Sequence, residues 1–196
     1  MLSAVVEHVG EIERLKQMDT NFRAPLSLIR KVLPLMREKR KGKIINISSV
    51  GGMMAMPTMS IYSASKFALE GATESLWYEV KPWNIKVTLV QPGFINSNGF
   101  QKIMQTKESL RAIGRPHTDY FYQYISMGKF IANLMKKTPS TPESVARKIL
   151  KVIYQKNPPL RVAGTWDALF FGFLRRFLPR SLYHWLFWLM LPKPLR

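Results

Sequence analysis

The sequence predicts an α/β fold, a parallel sheet with helices on its faces. Three stretches carry that prediction. "KIINIS" (Lys43 to Ser48) is a short, β-branched apolar run that suits a buried strand. Ser60 to Val80 reads as one long helix ending before Pro82. "IKVTLVQPG" (Ile85 to Gly93) is a second apolar strand, stopped by a Pro-Gly turn. Strand, helix and strand in succession imply parallel strands joined by a crossover that packs on the sheet.

The other elements follow in order. Before the first strand, apolar residues recur at Met18, Phe22, Leu26, Ile29, Leu33 and Met36, in steps of three and four. That spacing predicts a helix with one buried face, with Pro25 in its first turns. The basic run "REKRKGK" (Arg37 to Lys43) and its Gly42 are expected to close it, because cations and glycine suit a helix C-terminus. "VGGMMAMPTM" (Val50 to Met59) is a loop marked by paired glycines and a proline. Residues 94–140 are less regular, rich in aromatics and amides, and expected to be partly helical. "TPESVARKILKVIYQ" restores a helix, with Thr141 as N-cap, Pro142 at the first position and a stripe of Val145, Ile149, Val152 and Ile153. "PPLRVAG" suits one more strand. The chain is thereby divided into a partial α/β domain, 1–163, and an apolar, basic helical tail, 164–196.

In the tail, Trp166, Leu169, Phe170, Phe173, Leu174, Phe177 and Leu178 form a helical stripe that Pro179 ends. Arg175 and Arg176 lie off it, and "SLYHWLFWLML" follows, apolar nearly all round. Trp and Tyr beside Arg suit an anionic membrane surface. A cap on the core, a pocket wall or a dimer contact would use the same pattern.

Composition bounds the function. A chain of 196 residues, 46% hydrophobic and 21% charged, can bury a core and argues against disorder. The absence of cysteine excludes disulfides, thiolate catalysis and Cys-based metal sites, and fits a reducing, cytoplasmic compartment. The net charge of +18 attracts nucleic acid, anionic lipid or small anions. Zinc-finger spacing, an RNA-recognition motif and an arginine-rich arm are all lacking, which argues against nucleic acid. His117 and His184 are isolated, so no metal site is expected. "MLSAVVEHVGEIE" does not read as a signal peptide, and no apolar run reaches the ~20 residues of a spanning helix. A peripheral membrane contact is the remaining expectation.

The chemistry concentrates around Tyr62. Tyr62 and Lys66, four residues apart on a predicted helix, share one face. A phenol ionises near pH ~10, too high for a good base near neutrality. A neighbouring ammonium favours phenolate, and lowering the pKa by about 3 units takes roughly 4 kcal/mol. Such a tyrosine can pass a proton to or from a carbonyl or alcohol oxygen. Ser49, at the end of the preceding strand, could hold the same oxygen.

"INISSVGG", "YSASK" and "VTLVQPGFINS", in that order and at these separations, resemble the short-chain dehydrogenases/reductases. The resemblance runs from the N-terminus through the Pro-Gly turn and, more loosely, through "PESVARKIL". It implies a Rossmann-like sheet, NAD or NADP as cofactor, and interconversion of an alcohol with a ketone or aldehyde. Tyr62 would be the general acid/base. Lys66 would lower its pKa and bind the nicotinamide ribose, and Ser49 would orient the substrate oxygen. Asn21, in "MDTNFRAP", would complete the tetrad through a water relay. Pro92, Gly93 and Ile95 would meet the nicotinamide, and Ser97 stands where a cofactor-contacting threonine is common. Ser48 reads as a strand-end residue instead. The apolar, basic tail favours a lipophilic small-molecule substrate, and homo-oligomers are an expectation.

The family pattern begins earlier than this sequence. A first strand with a glycine-rich phosphate turn, and a strand ending in an Asn-Asn-Ala-Gly-like turn, have no counterpart ahead of Asn21. The chain is expected to have an open sheet edge and exposed apolar helix faces. Two alternatives stand: an oxidoreductase that needs further polypeptide, or a catalytically incompetent fragment that associates with membranes or a related subunit.

Overall fold

A computed structural model of the chain describes residues 1–97, 99 and 103–193. Residues 98 and 100–102, within the irregular stretch, and 194–196, at the end of the tail, lie outside the described residues. The sheet is three-stranded and parallel, in the order β1 (Gly42–Ile47), β2 (Ile85–Gln91), β3 (Arg161–Ala163). Ile44 faces Val87 and Ile47 faces Val90 in register, while Val90 also pairs with Val162. β2 is central, and Val87, Thr88, Leu89 and Val90 are fully buried. Each such aliphatic side chain contributes about 1.5–3 kcal/mol. The apolar runs read as strands are therefore strands; β2 carries the burial of a central parallel strand, whereas β1 is buried only at Ile44 and Asn46 and leaves Ile47 exposed.

The helix before β1 is longer than its apolar stripe implied, and it is not uniform. α1 (Glu11–Met18) passes into a π-helical turn, Asp19–Arg23, and then into α2 (Ala24–Glu38). Pro25 supplies a reason: without an N–H it leaves the carbonyl one turn back unclaimed, so the turn can widen. Gly42 does not close this helix. Arg40 takes the left-handed conformation, with φ 45°, and Gly42 begins β1. A non-glycine residue is held there by tertiary bonds. The Arg40 guanidinium donates to the Pro82 carbonyl at 3.0 Å, and Asn84 Nδ2 donates to the Arg40 carbonyl at 3.2 Å.

α3 (Ser60–Val80) spans the predicted residues and lays Leu76 and Val80 against Ile29, Ile44, Ile85 and Val87. Residues 94–140 contain α4 (Lys107–Ile113) and α5 (Phe121–Lys137). α6 (Pro142–Tyr154) starts from Thr141, whose hydroxyl accepts from Ser144 N–H in a reciprocal capping box. The Lys43 ammonium closes the other end by donating to the Val152 and Gln155 carbonyls at 3.1 and 2.8 Å. That contact docks α6 on β1.

The tail forms α7 (Trp166–Phe177) and α8 (Arg180–Met190), broken at Pro179. It is two-sided. Phe171, Leu174, Leu178, Phe187 and the buried Tyr183 pack on Val50, Met53, Met54, Met56 and Phe94, while much of the predicted stripe, including Trp166, Phe170, Phe173 and Phe177, faces out. Among the described residues, no helix is long and apolar enough to cross a membrane. At the far side of the sheet β1 pairs only with β2 among the described residues, and α2 exposes Leu28, Val32 and Leu35. Those are the open sheet edge and the exposed apolar helix face that were expected.

Candidate active site

β1 ends at Ile47, and the ladder to β2 continues past it. Ser48 N–H donates to the Val90 carbonyl at 2.8 Å and Val50 N–H to the Pro92 carbonyl at 2.7 Å. Ser49 is thereby pinned between two fixed backbone bonds. Its Oγ accepts from Gly51 N–H at 3.1 Å and turns the chain into the short 3-10 segment Val50–Gly52. Gly51 lets the Tyr62 ring approach, since a Cβ there would stand 3.0 Å from Tyr62 Cε1. Tyr62 lies in the first turn of α3, with Ser49 as its side-chain hydrogen-bonding neighbour. One turn on, Lys66 Nζ donates to the Ile47 carbonyl at 2.9 Å. The structure thus brings Ser49, Tyr62 and Lys66 together at the end of β1.

The electrostatics differ from the expectation. Burial raises the Tyr62 pKa above its ordinary value, and the Ser49 hydrogen bond only opposes that rise. Lys66 was expected to depress it. In this state its ammonium is turned to the Ile47 carbonyl, and burial lowers its own pKa while Glu70 acts against that. The phenol is accordingly protonated at neutral pH.

Asn21 sits in the π-helical turn and reaches α3. Its Nδ2 donates to Ser65 Oγ at 3.0 Å, and Ser65 Oγ donates to the Tyr62 carbonyl at 2.7 Å. It is therefore linked to the backbone of Tyr62. Ser48 turns away, and its hydroxyl donates to Glu70 Oε1 at 2.7 Å.

The turn after β2 is stitched to the start of α7. Gly93 N–H donates to Thr165 Oγ1 at 2.8 Å and Phe94 N–H to Asp167 Oδ2 at 2.9 Å. A Cβ on Gly93 would fall 1.8 Å from that Asp167 oxygen, so the close approach requires glycine. Pro92 carries the carbonyl that holds Val50, and Ile95 follows, partly buried. Ser97 is engaged in its own loop, accepting from Gly99 N–H at 3.3 Å.

Four positions escaped the sequence reading: Glu70, Gln91, Thr165 and Asp167. Glu70 is only 7% exposed. It accepts from Ser48, and from Gln91 Nε2 at 2.7 and 2.9 Å, with Arg161 Nε 3.7 Å away. One carboxylate therefore ties α3 to the ends of β1 and β2 and to β3. A signal existed, because Glu70 continues the Tyr62–Lys66 spacing by one more turn into an apolar helix. Thr165 and Asp167 had no local signal, since they reach the turn across more than seventy residues of chain.

Comparison with known proteins agrees with this geometry. The family model described as short chain dehydrogenase matches residues 4–108, more than half of the chain. The chain belongs to the short-chain dehydrogenase family. It is 37% identical over 182 residues to 3-ketodihydrosphingosine reductase of Bacteroides thetaiotaomicron, covering 92% of this chain and 65% of the relative. It is 30% identical over 175 residues to human 17-beta-hydroxysteroid dehydrogenase type 1, covering 89% and 50% respectively. A solved short-chain dehydrogenase from Streptomyces avermitilis is 28% identical with a TM-score of 0.74, over 96% of this chain and 64% of that one. The chain thus spans about half to two thirds of these proteins.

Two outcomes follow. Glu70→Gln replaces an acceptor by an amide that faces Gln91 donors, and should cost about 1.5–3 kcal/mol in urea unfolding; an unchanged midpoint would contradict the clamp. In an ultraviolet titration, the Tyr62→Phe difference spectrum should place the Tyr62 phenol above ordinary tyrosine, and Lys66→Ala should leave it there. A Tyr62 signal below ordinary tyrosine would contradict the assignment of burial as the cause.

Proposed function

We propose that this chain carries the reacting part of an NAD(P)-dependent oxidoreductase that interconverts a lipophilic alcohol and its ketone or aldehyde. The observation that carries this is the convergence of Ser49, Tyr62 and Lys66 beside the Pro92–Gly93 turn. Tyr62 is the general acid/base. Its half-buried, protonated phenol is poised to give a proton to a carbonyl oxygen as that oxygen gains charge. Ser49 Oγ already accepts from Gly51, so its O–H is left to donate to the same oxygen. In the oxidative direction Tyr62 takes the alcohol proton, and the Lys66 charge, released from the Ile47 carbonyl, favours the phenolate. Asn21 supports this end of α3 through Ser65, next to where a proton relay through water would leave Lys66.

The residues present fit the nicotinamide end of a dinucleotide. Gly93 and Phe94 N–H groups are already engaged, whereas Ile95 N–H has no hydrogen-bond partner among the described residues. Ile95 would hold the carboxamide, Lys66 the ribose, and Pro92, Gly93 and Ser97 the surrounding wall. The cofactor supplies or accepts the hydride at the carbonyl carbon. A lipophilic substrate is supported by relatives named for a sphingoid ketone and a steroid.

An anionic membrane surface is the proposed partner of the tail. Phe170, Phe173, Trp185 and Trp188 are exposed on α7 and α8, beside Arg175, Arg176 and Arg180. The catalytically incompetent alternative finds support in the open β1 edge and the bare α2 face, which suit a further polypeptide or a second copy.

The 196-residue chain should bind NADH and NADPH only feebly and show no measurable turnover. Its residues ahead of Ser49 include no glycine-rich phosphate turn. Two or three lost bonds to charged oxygens, at about 1.5–3 kcal/mol each, weaken binding by orders of magnitude. Saturable micromolar binding, followed by tryptophan fluorescence transfer, would refute this. In any form that turns over, Tyr62→Phe should abolish the rate with the fold intact, and a near-normal rate would end the assignment. In flotation assays the chain should bind anionic vesicles, more weakly as salt rises. Phe173→Glu with Trp185→Glu, both at exposed positions, should reduce that binding, and equal partitioning would count against the tail as the contact.

A further inference from the structure

A cavity of about 820 Å³ lies between α3 and α7. That volume falls within the roughly 300–1,000 Å³ of small-molecule sites. Ser49, Tyr62, Lys66, Pro92 and Gly93 do not line it, so it is not the site described above. Its apolar wall is Met53, Phe67, Leu169, Phe173 and Phe177. The last three are each more than half exposed, an apolar surface left to water beside an open cavity.

Gly71 keeps the cavity open from the α3 side. Glycine inside a helix is destabilising relative to alanine, yet a Cβ here would meet nothing within 4 Å. No packing contact therefore requires it. Phe67, Gly71 and Glu74 are spaced by four and three residues, so position 71 lies on the helix face that lines the cavity. The polar groups of the wall narrow the ligand class. Glu70 accepts from Ser48 and Gln91, and Arg161 donates to Glu74 at 2.8 Å with its Nε 3.7 Å from Glu70. Those groups are engaged with one another. Arg175 and Arg176 also line the cavity, and among the described residues neither is paired with a carboxylate. The Arg175 guanidinium lies over the Phe67 ring, 5.1 Å from its centroid, and so is held at the apolar wall.

We propose that this cleft binds a free long-chain fatty carboxylate, its alkyl chain against Phe67, Phe173 and Phe177 and its carboxylate on Arg175 and Arg176. The inference goes beyond the proposed reaction and does not depend on it. The wall offers apolar surface and two unpaired cations, while its other charged and amide side chains are already engaged. A peptide would leave many of its own hydrogen-bonding groups unpaired there. An alkyl chain ending in one anion asks for what the wall supplies. Each methylene that leaves water adds affinity, and charge-assisted bonds from arginine fix the head.

Equilibrium dialysis of radiolabelled dodecanoate against the full chain, below its micelle-forming concentration, tests this. Binding should saturate at one site, and hexanoate should bind at least about a hundredfold more weakly. Gly71→Leu should weaken dodecanoate binding at least about tenfold with no fall in unfolding temperature, since leucine is the better helix former. Gly71→Ala should bind within about twofold of the parent, which separates filling the cleft from stiffening the helix. Arg175→Gln with Arg176→Gln, both at exposed positions, should weaken binding at least about fivefold and remove most of its salt dependence. Absence of saturable binding by the parent, or binding unmoved by Gly71→Leu and by the double arginine variant, overturns the proposal. If the arginine pair governs binding to anionic vesicles but dodecanoate does not bind, the cations serve a bilayer and the cleft proposal falls while the tail reading stands. If dodecanoate does not bind and Gly71→Leu dissociates a dimer, the cleft is an interface between copies and the proposal falls.

Discussion

The parallel pairing of β1 with β2 is the contact from which the site is built. It brings the end of a strand that leads into Ser49 beside the end of a strand that leads into Pro92 and Gly93. The pairing does not stop with the strands, because Val50 N–H reaches the Pro92 carbonyl beyond them. Two loops far apart in sequence are thus held as one rigid lip. Ligands of open parallel sheets bind at such strand ends. Every other contact refines the lip. Gly51 lets Tyr62 lie against it, Thr165 and Asp167 hold its second half, and Glu70 ties both strands to α3.

Burial and charge together decide the state of the groups proposed to react. Burial is the largest influence on the Tyr62 phenol and raises its pKa. Lys66, one turn away, donates to the Ile47 carbonyl. Glu70 offsets part of the cost of burying that ammonium. The same carboxylate also satisfies Ser48 and Gln91, so a single buried charge serves the fold and the electrostatics of the site. Burying a carboxylate is costly unless it is paired and hydrogen-bonded, and here it is both.

Much of this was legible in the sequence. The strands, the boundaries of α3 and the Thr141 cap follow from local patterns, because periodicity and capping are local physics. Ser49, Tyr62 and Lys66 were legible as a set because helix spacing and strand order together predict their meeting. What escaped depends on distant chain segments. Arg40, not Gly42, takes the left-handed position because Pro82 and Asn84 hold it. Asp167 reaches the Pro-Gly turn through tertiary packing alone. The sign of the Tyr62 shift is set by burial, which spacing does not encode. The tail stripe was read correctly as helical, but whether it faced the core or solvent depended on Tyr183 and Phe187 packing from the next helix.

The central claim is that the lip joining Ser49 to the Pro92–Gly93 turn is preformed in this chain of 196 residues. Amide hydrogen exchange at Val50 tests it most directly, because its N–H bridges the two loops to Pro92 at 2.7 Å. In the 196-residue chain without cofactor, Val50 should be protected nearly as strongly as Leu89 in the centre of β2. Exchange at the rate of an exposed loop amide would mean that Ser49 and the Pro92–Gly93 turn are not held together, and would contradict the account.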